Sequence, residues 1–294
     1  MNLKILKPQT FLLIFLAVIF FSCSSEDIVG PNNIIEYSQI DFDAAWSSSG
    51  SMIAFSHNDL EFDLSGIYTM DSSGNNKVQR VFGNASNPDW SPLDTAIIYE
   101  QGEAIMILNL ASGISRRFAS GKGIGKASWN KVNGKIAWVY DNFLYVSDPD
   151  GTNFIVVNVH CSWSDWSPDG RYLYYFQPLS LSGGVRGGDA LVRCDLQNLS
   201  NTLIRNFSSD NYLDNSHLTV SNTNIFFSSS FGDGSSYVYG FNQSTYVFAK
   251  IVIELSFSPS IDPISNRLLY TNRTRGDGRL WILETNGSFR KLTY

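Results

Sequence analysis

From about residue 34 to the C-terminus, short runs of apolar, β-branched and aromatic residues alternate with clusters of Gly, Asn, Asp, Ser and Pro. The clearest example is Trp163-Ser164-Asp165-Trp166, followed by Ser167-Pro168-Asp169-Gly170 and then Arg171-Tyr172-Leu173-Tyr174-Tyr175-Phe176. It reads as a hairpin. Ser167 suits the first position of a type I turn, Pro168 presets φ at the second, Asp169 bonds nearby backbone, and Gly170 takes the left-handed conformation that closes the turn. No segment sustains a helical period, so the pattern predicts strands and turns throughout.

Weaker copies of this hairpin recur, and six units align. Their anchors are Trp46, Trp90, Trp129, Trp166, Leu218 and Phe257, spaced 44, 39, 37, 52 and 39 residues apart. Unit five is degenerate, with Leu218 at the tryptophan position. Unit six regains the serine-proline turn as Ser258-Pro259. The long gap is assigned to a loop insertion in unit four, Gln177 to Asp189. A period near forty residues with four short strands per unit predicts a β-propeller, because a twisted four-stranded sheet buries its faces only against neighbouring blades. The fold class is therefore all-β, a six-bladed β-propeller of four-stranded antiparallel blades, with the tryptophans as wedges between blades. Unit six holds its own outer strand, Phe289 to Thr293, so Ile34 to Tyr37 either adds to a sheet edge or clasps the last blade.

The Trp166-Ser167-Pro168-Asp169-Gly170 turn, the Gly66-Ile67-Tyr68-Thr69-Met70-Asp71 strand and the terminal Arg290-Lys291-Leu292-Thr293 together resemble the TolB-type propeller repeat. The likeness covers nearly all of the chain after residue 40. The family's periplasmic namesake has an additional N-terminal α/β domain with no counterpart here, so its partners do not carry over. Related repeats also occur in peptidase propellers and oligogalacturonate lyases, so the resemblance speaks to fold more than to function.

Residues 1–22 carry Lys4 and Lys7, the apolar run Phe11 to Phe21, and Ser22 immediately before Cys23. This is a secretory leader, too short to span a membrane comfortably. It resembles a bacterial lipoprotein signal in which Cys23 is acylated, although Phe20 and Phe21 depart from the commonest lipobox; an ordinary cleaved signal or an uncleaved anchor is the alternative. Residues 23–36 read as a flexible tether and 37–294 as the propeller. The expected location is the cell envelope, lipid-anchored to the outer membrane. The acidic pair Glu26-Asp27 resembles a surface-export signal, and the periplasmic and surface faces stay open as alternatives.

The formal charge is −6, and removing Lys4 and Lys7 with the leader leaves 19 basic residues against 27 acidic ones. With no basic stripe, nucleic-acid binding is disfavoured. Cys161 and Cys194 fall on strands separated by another strand, beyond disulfide reach, and read as buried thiols.

No catalytic motif is present: there is no Gly-x-Ser-x-Gly elbow and no His-Glu-x-x-His. Gly121 to Lys126 precedes a strand rather than a helix and reads as an inter-blade turn, not a phosphate loop. Asp148 to Asn153 lacks the terminal glutamate of a calcium loop and reads as a hairpin. The three histidines, His57, His160 and His217, are expected on one face of the disc, together with long loops carrying Arg186, Arg273 and Arg275. Two classes of function follow. In one, this face is a non-catalytic docking surface for an envelope protein or glycan, with the chain a monomer that needs no cofactor and touches membrane through its lipid alone. In the other, some histidines hold a divalent metal for a lyase-like reaction on polysaccharide, or the chain is a peptidase-related enzyme. Three independent surface histidines is the plain alternative to a site.

Overall fold

The structure is a computed structural model. It describes residues 39–59, 61–180, 186–207, 211–212, 217–231, 235–274 and 278–294, with side chains left aside at 159, 180, 186–188, 211–212 and 230–231. Cys23, the leader, the tether and residues 34–37 lie outside the described residues.

The strands form six antiparallel sheets, each built from consecutive segments of chain. Blade 1 runs Gln39–Trp46, Met52–Asp59, Gly66–Asp71 and Val78–Phe82 from the axis outward. The inner strands of blades 2 to 6 are Ala85–Trp90, Ile124–Trp129, Ser164–Trp166, Leu218–Val220 and Ser256–Ile261. Blade 5 carries a small extra strand, Asn211–Tyr212, which pairs with its second strand. The chain is thus the six-bladed β-propeller that the repeat predicts.

Each inner strand ends in a hairpin closed by the same bond. The N–H groups of Ser47, Ser91, Asn130, Ser167, Ser221 and Asp262 donate to the carbonyls of Met52, Ala96, Lys135, Tyr172, Asn224 and Arg267. In blade 4 the turn is as the sequence predicts, with Gly170 at φ +71° and its N–H bonded to Ser167 O at 2.8 Å. This six-fold register corrects two anchors. The residue before the turn is Val220 in blade 5 and Ile261 in blade 6, not Leu218 and Phe257. Ser258-Pro259 lies inside the inner strand at a bulge between Phe257 and Ser260, and the turn is made by Asp262-Pro263 instead. Proline is tolerated there because a bulge frees its position from the hydrogen-bond ladder.

The insertion in unit four is also reassigned. Most of Gln177 to Asp189 is strand rather than loop, since Tyr172–Ser180 and Arg186–Asp195 form a lengthened hairpin. Gly121 and Gly123 form the turn leading into the inner strand of blade 3, and Asp148 to Gly151 closes the hairpin before its outer strand, as expected.

Six apolar clusters fill the six blade interfaces. Ala54, Ile67, Trp90, Ile97 and Tyr99 fill that of blades 1 and 2, and Trp46, Phe55, Met70, Leu269 and Leu280 that of blades 6 and 1. The tryptophans are the wedges: Trp46, Trp90, Trp129 and Trp166 are all buried. Trp90 Nε1 donates to Ala45 O at 3.1 Å and Trp166 Nε1 to Ser128 O at 3.2 Å, so each ring also bonds the preceding blade. Cys161 and Cys194 are buried thiols in the cluster of blades 3 and 4, and burial raises both, to about 12 and about 11.

Among the described residues no strand is exchanged between the first and last blades, and both backbone and side-chain bonds join them. Asp41 N donates to Gly278 O at 2.8 Å, and Thr271 Oγ1 to Asp41 O at 3.2 Å. The buried Asp41 carboxylate lies 2.6 Å from His57 Nδ1, 3.6 Å from Arg279 and 3.7 Å from Lys77. Burial alone would push this carboxyl up, but the His57 bond, the Lys77 charge and the Thr293 hydroxyl outweigh it and hold the group below its ordinary 3.8.

Trp90→Ala should cost about 3–5 kcal/mol, read as a drop in denaturant midpoint, because it removes a wedge and an inter-blade bond. Asp41→Asn should cost about 3 kcal/mol, since Arg279 and Lys77 lose their counter-charge and the bond to His57 is weakened in a buried seam. With its carboxyl depressed in the folded state, the Asp41 contribution is fully present above 3.8 and lost as pH falls through the folded value. Acid unfolding of Asp41→Asn should therefore show a weaker pH dependence below about pH 4 than the parent chain.

Candidate functional site

The corrected register lines up one further position in every blade, three residues before the anchor: Asp43, Asn87, Lys126, Trp163, His217 and Ser258. In blades 1, 2, 3 and 6 it lies in a bulge where the inner strand slips against the second. Asp43, Asn87, Lys126 and Ser258 there take φ of +48°, +51°, +57° and +51°. A left-handed residue in a bulge kinks the strand and re-aims its side chain, in this case toward the propeller axis.

These residues meet around the His217 ring. Its Nε2 lies 2.8 Å from Asp43 Oδ1 and 3.2 Å from Asn87 Oδ1, and its Nδ1 lies 3.1 Å from Ser258 Oγ. Trp163 stacks against it with centroids 3.9 Å apart, and the Lys126 ammonium sits 5.8 Å from the Trp163 ring. Because His217 comes from blade 5 and Asn87 from blade 2, directly opposite, the bond between them crosses the axis and plugs the channel. Glu100 backs the layer, accepting from the Lys126 backbone N–H and, at 2.9 Å, from Asn87 Nδ2. Burial raises the Glu100 carboxyl and lowers the Lys126 ammonium. Gly125 lets the Glu100 carboxylate approach closely, since a Cβ there would come 2.8 Å from Glu100 Oε2 and the side chain would have to shift.

Beyond the plug is a cavity of about 250 Å³ lined by all six blades. Its walls are the second halves of the inner strands and the hairpins that follow, including Pro168, Asn222, Pro263 and Asn266. It therefore occupies the half of the channel toward the first hairpins, with the plug as its floor. Two wall carboxylates stitch neighbouring inner strands together. Asp89 Oδ2 accepts from Trp129 N at 2.6 Å, and Asp165 Oδ2 from Val220 N at 3.0 Å. Thr219 Oγ1 does the same for Ile261 N at 3.2 Å. Lys131 Nζ reaches Asp89 at 2.6 Å. Burial, with the nearby Asp89 charge, pushes the Asp165 carboxyl up to about 7.

The residues singled out in the sequence are dispersed. His57 is buried in the second strand of blade 1 and serves the seam. His217 is the centre of the plug. His160 is exposed at φ +55° between blades 3 and 4. Arg273 is exposed, with its guanidinium 5.7 Å from the Phe257 ring. Arg186 lies at the start of a blade 4 strand, and Arg275 outside the described residues. Three surface histidines are thus not found. Among the described residues, no group of three or more His, Cys, Asp or Glu side chains is placed to hold a metal ion. The plug and the cavity carboxylates were missed, since the six positions three before the anchors hold six different residue types and carry no shared signal.

No family model matches the chain, and no curated protein does. Solved structures do. TolB from Acinetobacter baumannii superposes with a TM-score of 0.64 at 19% identity, covering 86% of this chain and 63% of that one. The fold is that of a TolB-like β-propeller. The chain spans less than two thirds of that TolB structure. An oligogalacturonate lyase in complex with manganese matches with a TM-score of 0.54 at 16% identity, covering 83% of this chain and 89% of that one. The propeller domain of the Trilobed protease from Pyrococcus furiosus, described as having an open velcro topology, matches with a TM-score of 0.57 at 12% identity, over 87% and 96%.

Asp165 should titrate near neutrality in a carbon-detected NMR experiment, and Asp89→Asn should lower its midpoint by removing the like charge. The sign follows from the raised value: the folded chain holds this proton more tightly than the unfolded one. The Asp165 contribution to stability is therefore most favourable below 3.8 and declines as pH rises to about 7.

Proposed function

We propose that this chain is an envelope binding module, anchored to the outer membrane through lipid on Cys23, which captures a protein or glycan partner and performs no chemistry on it. The observation that carries this reading is the dead-ended channel cavity, which has a polar floor and mixed walls and is preformed by six rigid strands. His57 is buried in the seam beside Asp41 and His217 bonds Asp43, Asn87 and Ser258 in the plug, so both are placed within the scaffold. A metal-dependent lyase-like activity, the competing reading, would need donors brought together, and the three histidines are in separate places.

The channel also displaces the loop-rich face as the favoured docking point. A pull-down from envelope extracts with the full chain should recover a partner, in the protein or the glycan fraction, that Ser260→Trp, a channel-filling variant, loses. His160→Ala with Arg273→Ala should leave recovery unchanged. Recovery of nothing from either fraction, or recovery indifferent to Ser260→Trp, would overturn the channel reading.

A further inference from the structure

Among the described residues the outer strand of each blade pairs on one side only, and a free sheet edge invites pairing with another chain. Charged side chains on the edge discourage this. Five of the six outer strands carry one: Arg80 in blade 1, Arg116 in blade 2, Arg205 in blade 4, Lys250 in blade 5 and Arg290 in blade 6. The outer strand of blade 3, Ile155–Val159, carries none. With Phe154 before it, it reads Phe-Ile-Val-Val-Asn-Val, six residues of high β-propensity without charge or proline. A bulge shifts its register against the third strand, but the outer strands of blades 1, 2 and 4 have the same device and keep a charge as well.

The side chains of this edge are apolar and open to solvent. Phe154, Ile155 and Val156 are 63%, 37% and 45% exposed. Phe154 and the exposed Phe143 each lie 6.4 Å from the Tyr145 ring, which stacks on the buried Trp138 at 5.4 Å. An exposed aromatic braced by a buried one is a rigid anchor of the kind that binding surfaces use.

We propose that two copies of this chain associate through their blade 3 edges, the outer strands pairing antiparallel about a two-fold axis at Ile155. The charge pattern selects a second copy as the occupant. A two-fold contact sets each strand against itself, so a charge near the axis meets its own like charge, and the other five edges incur that penalty. The blade 3 edge does not. Pairing about Ile155 sets Phe154 of each copy opposite Val156 of the other, an aromatic against a β-branched side chain, which is a favourable cross-strand pair. The antiparallel sense also carries the two acidic hairpins, with Asp148 and Asp150, to opposite ends of the contact. Both free edges are used up, so the assembly closes as a dimer instead of growing into a fibre. The monomer expected from the sequence gives way to a concentration-dependent dimer. The inference goes beyond the binding-module reading and does not rest on the channel, since no residue of Ile155–Val159 lines the cavity.

Sedimentation equilibrium of the full chain in mild detergent tests this. The parent should pass from monomer to dimer between about 1 and 100 µM, the range of a small interface. Ile155→Lys, which opposes two like charges at the axis, should weaken association about tenfold or more, and so should Ile155→Glu. An equimolar mixture of the two variants should recover it, because opposite charges then meet at the axis. Should Ile155→Lys fail to fold, Val156→Lys and Val156→Glu, at a more exposed residue, take the place of that pair. Leu203→Lys, at an exposed apolar residue on the outer strand of blade 4, should leave association unchanged. A parent that stays monomeric at about 100 µM, association indifferent to charge at Ile155, or a mixture that stays monomeric overturns the inference. Equal loss in Leu203→Lys, or growth past the dimer, overturns it as well. An envelope partner that Ile155→Lys loses while the parent is monomeric assigns the edge to another chain, which overturns the second-copy inference and leaves the channel reading standing.

Discussion

A twisted four-stranded sheet with two apolar faces is stable only when both faces are covered, and in this chain each blade can be covered only by its neighbours. The inner strands of adjacent blades share no backbone ladder. What holds the ring is side-chain chemistry at recurring offsets: a wedge at the anchor, in blades 2 and 4 an indole N–H reaching back one blade, and in blades 2, 4 and 5 an acceptor one residue earlier reaching forward to a backbone N–H. These bonds are modest singly, but they sit on interfaces whose burial supplies most of the driving force.

The seam shows what happens where that repeat is interrupted. Trp46 is a wedge like the others, but its indole N–H has no partner, whereas Trp90 and Trp166 each bond the blade before them and Trp129 bonds Gly134 O in its own hairpin. The interface of blades 6 and 1 is compensated by charge: the buried Asp41 collects His57, Lys77 and Arg279, and Arg290 reaches across toward the carbonyls of Ser72 and Ser73. A ring closed by strand exchange resists opening through a ladder of backbone bonds. Among the described residues this seam is held by apolar packing, the Asp41 N to Gly278 O bond and one carboxylate cluster, which ties its closure to the ionisation of Asp41 at low pH.

The architecture was legible in the sequence because the wedge and the turn are local signals that recur. The register was not fully legible, for a physical reason. In blade 6 the Ser258-Pro259 pair looks like the hairpin turn of blade 4, yet it sits in a bulge, where proline is equally at home. In blade 5 the wedge shrinks to Val220, and the nearby Leu218 is the larger apolar residue. The plug lay beyond sequence reasoning for another reason. Its six members are unlike in type, and a histidine, an aspartate and a tryptophan share no chemical pattern until six bulged strands bring them to one axis.

That plug also determines what kind of space the channel becomes. Four non-glycine residues adopt positive φ to build it, each at a cost of order 1 kcal/mol, and the His217 bonds and the Trp163 stack offset that strain. Closing the axis turns a through-channel into a blind cavity with a mouth on the hairpin side. Water in a blind cavity exchanges through one opening and is confined by low-dielectric walls, so a carboxylate on the wall is less well solvated than it would be in an open pore. The strained floor and the perturbed Asp165 are therefore parts of one arrangement: the first makes the cavity blind, and the second responds to it.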